Sequence, residues 1–95
     1  MAILMTAEVA GQTRQGYEGV LEMVEQLASR APGFVLHSAF PVEGGWRVIE
    51  VWESKADSDR FFAEHVVPHL PQGIRPKRSY QDLDSLVLPA SRLAG

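Results

Sequence analysis

The sequence contains no cysteine, little clustered positive charge and no long apolar run. Without cysteine the chain has neither disulfides nor thiolate metal ligands, and a cysteine nucleophile is excluded. The formal net charge of −3 and the scattered basic residues argue against a nucleic-acid or anionic-lipid partner, since both attract clustered lysine and arginine. The one short basic cluster, Arg75, Lys77 and Arg78, is interrupted by Pro76 and predicts a solvated loop.

Signals for export and membrane insertion are missing as well. The N-terminal segment MAILMTAEV is apolar, but it lacks the basic start and the length of a secretory signal. No stretch approaches the roughly 18 apolar residues of a membrane span. We therefore expect a soluble, cytoplasmic protein without a membrane partner.

The residues that are present predict one small α+β domain. The chain of 95 residues is 45% hydrophobic and 22% charged, as in a globular protein. Apolar periodicity and turn residues predict elements in the order βαββαβ. The strands are expected over residues 2–9, 34–40, 46–53 and 79–88, and the helices from the N-cap Thr13 to the turn at Pro32 and Gly33, and from the N-cap Ser54 to about Val66, before Pro68.

This order predicts the ferredoxin-like plan. With right-handed crossovers, the chain forms a four-stranded antiparallel sheet with both helices on one face. The predicted domain spans residues 1–88, and residues 89–95 are expected to form a C-terminal tail.

The central strands carry apolar residues on both faces, which two helices on one side cannot cover. In strand 46–53, one face is predicted to hold Trp46, Val48, Glu50 and Trp52, and the other Arg47, Ile49, Val51 and Glu53. In strand 34–40, the predicted faces are Phe34, Leu36 and Phe40 on one side and Val35, His37 and Ala39 on the other. A bare apolar face would exceed the patch that a monomer usually tolerates. We therefore predict that a second sheet covers it in a two-fold homodimer.

Two segments resemble a known family. APGFVLHSAF at residues 31–40 and GGWRVIEVWESKADSDRFFAEHVVPHL at residues 44–70 are similar to the dimeric α+β barrel superfamily, in its antibiotic biosynthesis monooxygenase-like branch. The resemblance covers about residues 3–88 and rests on Pro-Gly-Phe before the second strand and Trp-Glu-Ser after the third. It implies two ferredoxin-like subunits whose sheets join into a barrel, with a cavity between sheet and helices in each subunit.

The resemblance implies several activities and selects none of them. Members include cofactor-independent oxygenases that convert aromatic polyketide anthrones to quinones, haem-degrading enzymes, polyketide cyclases and lactone isomerases. The oxygenases use an active-site asparagine with a tryptophan, and the haem-degrading branch uses an asparagine, a tryptophan and a histidine. This chain has no asparagine, and Phe61 or Phe62 stands where the haem-degrading pattern carries its tryptophan. The departure argues against haem degradation by that route.

Two side chains are candidate proton-transfer groups. His65 shares a helical face with Phe61 and is predicted to point toward the sheet as a general base; the alternative is a half-buried histidine satisfied by a carbonyl or a carboxylate. Glu50 lies in the middle of a central strand, where a carboxylate must be hydrogen-bonded, paired or protonated. Either an arginine or histidine from the opposite sheet neutralises it, or it serves as a base.

Aromatic and imidazole side chains are predicted to line a cavity for a flat ligand. The predicted substrate-binding residues are Trp52, Phe61, Phe62, His37, His69 and Tyr80, and Tyr17 could add a second phenolic donor. Two alternatives stay open, because the tryptophans could equally fill the core and His37 could equally lie at a dimer interface. His65 and His69 have a metal-ligand spacing, but Pro68 lies between them and no third ligand follows, so we predict no metal site. No phosphate loop or dinucleotide fingerprint is present, and no cofactor is predicted.

Together with the resemblance, these features lead to the hypothesis of a cofactor-independent monooxygenase or cyclase-like enzyme. Its substrate would be a small hydrophobic, aromatic molecule, polyketide- or quinone-like, held between the sheet and the second helix. In that hypothesis His65 or Glu50 deprotonates an acidic carbon so that the carbanion reacts with oxygen, while Trp52 and Phe61 pack against the ring. The alternative is a non-catalytic dimeric ligand-binding or structural module, with haem binding as a third possibility.

Overall fold

The computed structural model describes residues 1–90 as a four-stranded antiparallel sheet with helices packed on one face. The strand order is β2-β3-β1-β4. The elements are β1 (Ile3–Ala10), α1 (Arg14–Ser29), β2 (Phe34–Val42), β3 (Gly45–Trp52), α2 (Lys55–Phe61) and β4 (Lys77–Asp82). The predicted ferredoxin-like α+β fold is therefore confirmed.

Local signals in the sequence explain where both helices begin. The Gly16 N–H donates to Thr13 Oγ1 over 3.0 Å, and the Asp57 N–H donates to Ser54 Oγ over 3.1 Å. Each side-chain oxygen satisfies a backbone donor that has no partner within its helix. Both predicted N-caps are confirmed. No helix in residues 1–90 combines the length and the apolar character needed to cross a membrane.

The chain stays helical for longer than predicted after α2. A π-helical turn at Phe62–Val66 and a 3₁₀ turn at Val67–His69 follow the α-helix. Pro68 was expected to end the helix. It is instead accommodated in the first turn of the 3₁₀ segment, where its missing N–H leaves no intrahelical bond unmade.

The last strand, β4, begins and ends earlier in the sequence than predicted. It begins at Lys77 and ends at Asp82 rather than spanning 79–88. The prediction of a loop is wrong for Lys77 and Arg78, because both lie in β4, where they pair with Glu8 and Ala7 of β1. Lys77 is exposed, as expected. The predicted domain boundary at residue 88 stays a prediction, and positions 91–95 of the expected tail lie outside the described residues.

A β-bulge in β2 changes the predicted faces of that strand. Phe34 pairs with Trp52 and Leu36 pairs with Val51, so one extra residue lies between them. Phe34 was expected on the same face as Leu36 and Phe40. The bulge instead turns Phe34 toward the helices, on the side of the sheet where His37 lies, and Phe34 packs against the core.

The core lies between the sheet and the helices. Alternate residues of β1 are buried there with side chains from α1, β3 and α2: Ile3, Met5, Ala7, Val9, Val24, Trp46, Trp52 and Phe61. The opposite side of the sheet, which we call the outer sheet face, carries Leu4, Leu36, Phe40, Ile49 and Val51. Leu36 and Phe40 are 37% and 39% exposed. The predicted apolar character of both faces of β3 is thus present in the structure.

Two glycines in turns provide a matched test of packing beside α2. Gly33 and Gly44 have φ values of +83° and +80°, which favour glycine. A Cβ at Gly33 would lie 2.3 Å from Asp57 Oδ2, whereas a Cβ at Gly44 would meet no atom within 4 Å. We expect Gly44→Ala to lower the free energy of unfolding by about 1–2 kcal/mol through backbone strain alone. Gly33→Ala should cost about 1–2 kcal/mol more, because Asp57 must move.

Urea denaturation of both variants measures this difference. Equal losses of stability at the two positions would contradict the close contact between Gly33 and Asp57.

Candidate functional site

A cavity of about 630 Å³ lies between the sheet and the helices. This volume falls within the range of small-molecule sites in proteins. Most of the side chains around it are apolar: Met5, Ala7 and Val9 from β1, Val20, Leu21, Val24 and Ala28 from α1, Ala39, Trp46 and Val48 from β2 and β3, and Phe61, Phe62 and Val66 from α2 and the turn after it. The cavity therefore suits a ligand that is largely hydrophobic.

Three polar side chains form a continuous hydrogen-bonded chain on the cavity wall. Tyr17 Oη lies 2.6 Å from His37 Nε2, and His37 Nδ1 lies 2.7 Å from Glu50 Oε2. All three residues line the cavity. Within the described residues this arrangement joins a phenol, an imidazole and a carboxylate, which together can accept, hold and return a proton.

The fold places these three residues from separate elements. His37 and Glu50 are paired residues on the neighbouring strands β2 and β3. Tyr17 comes from the first turn of α1, where its N–H donates to the carbonyl of the N-cap Thr13 over 2.8 Å. The ring of Trp46 stacks on Tyr17 with their centroids 5.6 Å apart, which restricts the phenol further.

The pKa of Tyr17 indicates which groups donate and which accept in the hydrogen-bonded series of Tyr17, His37 and Glu50. Burial raises the pKa of the Tyr17 phenol above its ordinary value of 10.0, and the negative charges of Glu50 and Glu25 raise it further. The phenol therefore keeps its proton and can donate a hydrogen bond to Nε2 of His37. In the tautomer that accepts this bond, the proton on Nδ1 donates to the carboxylate of Glu50.

Glu50 has the hydrogen-bond partners that its position requires. The sequence left two alternatives, an arginine or histidine from the opposite sheet or a role as a base. One partner is His37, on the adjacent strand of the same sheet, and the Trp52 indole N–H also donates to Glu50 Oε1 over 2.8 Å. The sequence left open whether Glu50 and His37 face a pocket or an interface. The structure places both on the cavity wall.

A second polar group lines the cavity beside α2. Arg78 Nη2 donates to Ser58 Oγ over 3.0 Å, and Arg78 Nη1 lies 3.3 Å from Asp59 Oδ1. The guanidinium lies over the ring of Phe62 at 4.1 Å. Sequence reasoning missed Arg78, because it assigned the residue to a loop. The alternation of Arg78 with Tyr80 along β4 is the signal that could have found it.

Phe61 and Phe62 line the cavity as predicted, but Trp52 and Tyr80 do not. Trp52 is only 1% exposed and lies in the core below the cavity. Its predicted role against a substrate ring is not supported by this position. The Tyr80 hydroxyl donates to Asp59, and burial together with this bond raises the pKa of Tyr80.

His65 and His69 lie outside the cavity. The His65 side chain is 38% exposed and packs against Phe61, with ring centroids 5.0 Å apart. His65 shares a face with Phe61 as predicted, but it does not line the cavity; its role as a base stays a prediction. His69 is exposed. Across residues 1–90, no three histidine or carboxylate side chains converge as a metal site would require.

The two tyrosines allow a direct test of the electrostatics. Both phenols have raised pKa values. In folded protein the two tyrosines should therefore ionise above pH 10.0, which the absorbance of tyrosinate near 295 nm measures. In urea the ionisation should move back to about pH 10. Since protonation of these phenols favours the folded state, stability should fall as the pH rises through their folded pKa values.

Tyr17→Phe leaves Tyr80 as the single ionising phenol and separates the two titrations. Ionisation of Tyr17 at or below pH 10 would contradict its burial beside Glu50.

Comparisons with known proteins identify the fold. No protein-family model matches the sequence, and no curated protein matches it. Among solved structures, the chain is similar to SnoaB, a cofactor-independent oxygenase from Streptomyces nogalater, with 21% identity and a TM-score of 0.61 over 94% of this chain and 96% of that one. A point mutant of SnoaB gives a TM-score of 0.65 at 17% identity, over 90% of this chain and 95% of that one.

Other similar structures include a protein of unknown function and one that is named as a monooxygenase. NE2512 from Nitrosomonas europaea, a protein of unknown function, has a TM-score of 0.64 at 15% identity, over 95% of this chain and 94% of that one. An antibiotic biosynthesis monooxygenase has a TM-score of 0.53 at 20% identity, over 92% of this chain and all of that one. At these identities the likeness concerns the fold. The chain therefore has the fold of antibiotic biosynthesis monooxygenase-like proteins, as the sequence resemblance predicted.

Proposed function

We propose that the protein is a cofactor-independent monooxygenase that binds a small hydrophobic, aromatic molecule in the cavity between sheet and helices. The single observation that carries this proposal is the chain of Tyr17, His37 and Glu50 on the wall of an otherwise largely apolar cavity. An apolar site with a few converging polar groups is the usual form of a small-molecule site. The similarity in fold to SnoaB, itself a cofactor-independent oxygenase, is consistent with this chemistry.

His37 is the proposed general base. In the resting site its Nε2 lies 2.6 Å from Tyr17 Oη. When the Tyr17 hydroxyl turns to donate a hydrogen bond to a substrate oxygen that gains negative charge, Nε2 is free to take a proton from an acidic carbon of the substrate. The carboxylate of Glu50 stabilises the imidazolium that forms. Glu50 acts as the partner of the base. The pair of His37 and Glu50 thus takes the role for which the sequence offered His65 or Glu50.

The substrate supplies the electrons, so the reaction needs only oxygen as co-reactant. His37 removes one proton from a methylene between aromatic rings, and the carbanion transfers an electron to oxygen. The two radicals combine to a peroxide, which takes up a proton. Loss of the second methylene proton, with cleavage of the O–O bond and departure of water, leaves a carbonyl. One methylene and one oxygen molecule thus give one carbonyl and one water.

His65 is the natural control for this assignment, because it is a histidine in the π-helical turn after α2 that does not line the cavity. We expect His37→Ala to reduce oxygen consumption with anthrone as the probe by about 100-fold or more, the usual contribution of a general base. Glu50→Gln should reduce it by about 10- to 100-fold. His65→Ala should leave it unchanged.

The measurement combines an oxygen electrode with product detection and a separate binding titration of anthrone. If wild-type protein binds anthrone but does not consume oxygen, the cavity belongs to a non-catalytic binding module. If His65→Ala alone abolishes turnover, the assignment of His37 is wrong.

We also propose that a second copy of the chain covers the outer sheet face. Leu36 and Phe40 are more than a third exposed there, beside apolar residues of β1 and β3, and a two-fold pairing of identical faces would bury them together.

We expect sedimentation velocity to show a dimer at micromolar concentration. Phe40→Glu should dissociate it, whereas Leu27→Glu, at a residue of α1 that is 44% exposed, should not. A monomeric wild-type protein would overturn this proposal.

A further inference from the structure

The two tryptophans of β3 differ in what their indole N–H groups contact. Trp52 Nε1 donates to Glu50 Oε1 over 2.8 Å. Trp46 Nε1 is buried and has no hydrogen-bond partner among residues 1–90. Both rings fill space in the core, but only Trp46 also lines the cavity. Only Trp52 makes a hydrogen bond to the carboxylate.

The indole of Trp52 is held rigidly. The side chain is 1% exposed. Its ring meets Phe34 edge-on with centroids 5.4 Å apart and lies tilted against Phe61 at 5.5 Å. Because Trp52 lies two residues after Glu50 on the same strand, both side chains project to the same side of the sheet. The N–H therefore reaches the carboxylate from a ring that cannot turn away.

This contact fixes the orientation of Glu50. One oxygen, Oε1, accepts from Trp52, which leaves Oε2 directed at His37 Nδ1 over 2.7 Å. The Glu50 side chain retains 17% exposure, so a carboxylate held at only one oxygen could rotate toward solvent. Two donors at two oxygens define a single arrangement.

We propose that Trp52 is a positioning residue that fixes, through Glu50, the His37 tautomer with the proton on Nδ1. A carboxylate that accepts from Nδ1–H leaves Nε2 as the basic nitrogen, which is the nitrogen that faces Tyr17 and the cavity. The importance of this tautomer for turnover rests on the proposed function. The tautomer itself can be measured in the resting protein.

The experiment measures the tautomer of His37 by long-range ¹H–¹⁵N correlation in histidine-labelled protein at about pH 9, where imidazoles are neutral. The chain has three histidines, and His37→Gln identifies the signal. Wild-type protein should show a protonated Nδ1 and an unprotonated Nε2. Trp52→Phe keeps an aromatic ring but removes the N–H, and it should change the tautomer ratio by about five-fold, the size expected for loss of one hydrogen bond.

Trp46→Phe is the control. It keeps an aromatic ring against Tyr17 and removes an indole N–H that has no partner in residues 1–90, so the tautomer ratio of His37 should change much less than in Trp52→Phe. A wild-type ratio in folded Trp52→Phe would overturn the inference.

A second variant keeps the inference testable if Trp52→Phe does not fold. Glu50→Ala should shift the indole N–H resonance of Trp52 upfield and leave that of Trp46 in place. If neither indole resonance moves, the bond between Trp52 and Glu50 is absent and the inference falls.

Turnover separates this inference from the proposed function. Because Trp52 does not line the cavity, Trp52→Phe should lower kcat for anthrone oxidation by about 10-fold with KM unchanged. A shifted tautomer ratio in Trp52→Phe, together with full turnover in His37→Ala, would support the positioning role and overturn His37 as the base. An unshifted ratio overturns the positioning role, whatever the turnover.

Discussion

The negative charge of Glu50 on the helix side of the sheet is the constraint on which the arrangement of the site depends. A carboxylate with 17% exposure needs donors, because an unpaired charge in such a place is costly. Two donors are supplied, one from the next strand and one from two residues further along the same strand. His37 in turn brings Tyr17 of α1 into the chain. One acidic residue thus ties β2, β3 and α1 together through side chains.

Much of the fold was predictable because its signals are local. The N-caps Thr13 and Ser54 act within three residues of themselves, and the alternation along β3 is visible in its own letters. These features do not depend on which strand lies next to which. The order of elements and the two apolar faces of β3 therefore followed from the sequence.

The candidate site was less predictable because its geometry depends on non-local pairing. The partner of Glu50 is decided by the register between β2 and β3. That register includes a bulge, and no short sequence motif predicts it. The inclusion of Arg78 in the site likewise depends on where β4 begins. In each case a shift of one or two residues decides which side chain reaches the cavity.

The bulge in β2 places a core residue and a site residue on the same side of the sheet. Phe34, before the bulge, packs in the core, and His37, after it, contacts Glu50. Because Phe34 and His37 are three residues apart, a regular strand with its period of two would let only one of these side chains face the helices. The extra residue of the bulge is what lets both face that side. A change that made β2 regular at its present length would therefore turn either Phe34 out of the core or His37 away from Glu50, so core packing and site geometry depend on the same irregularity.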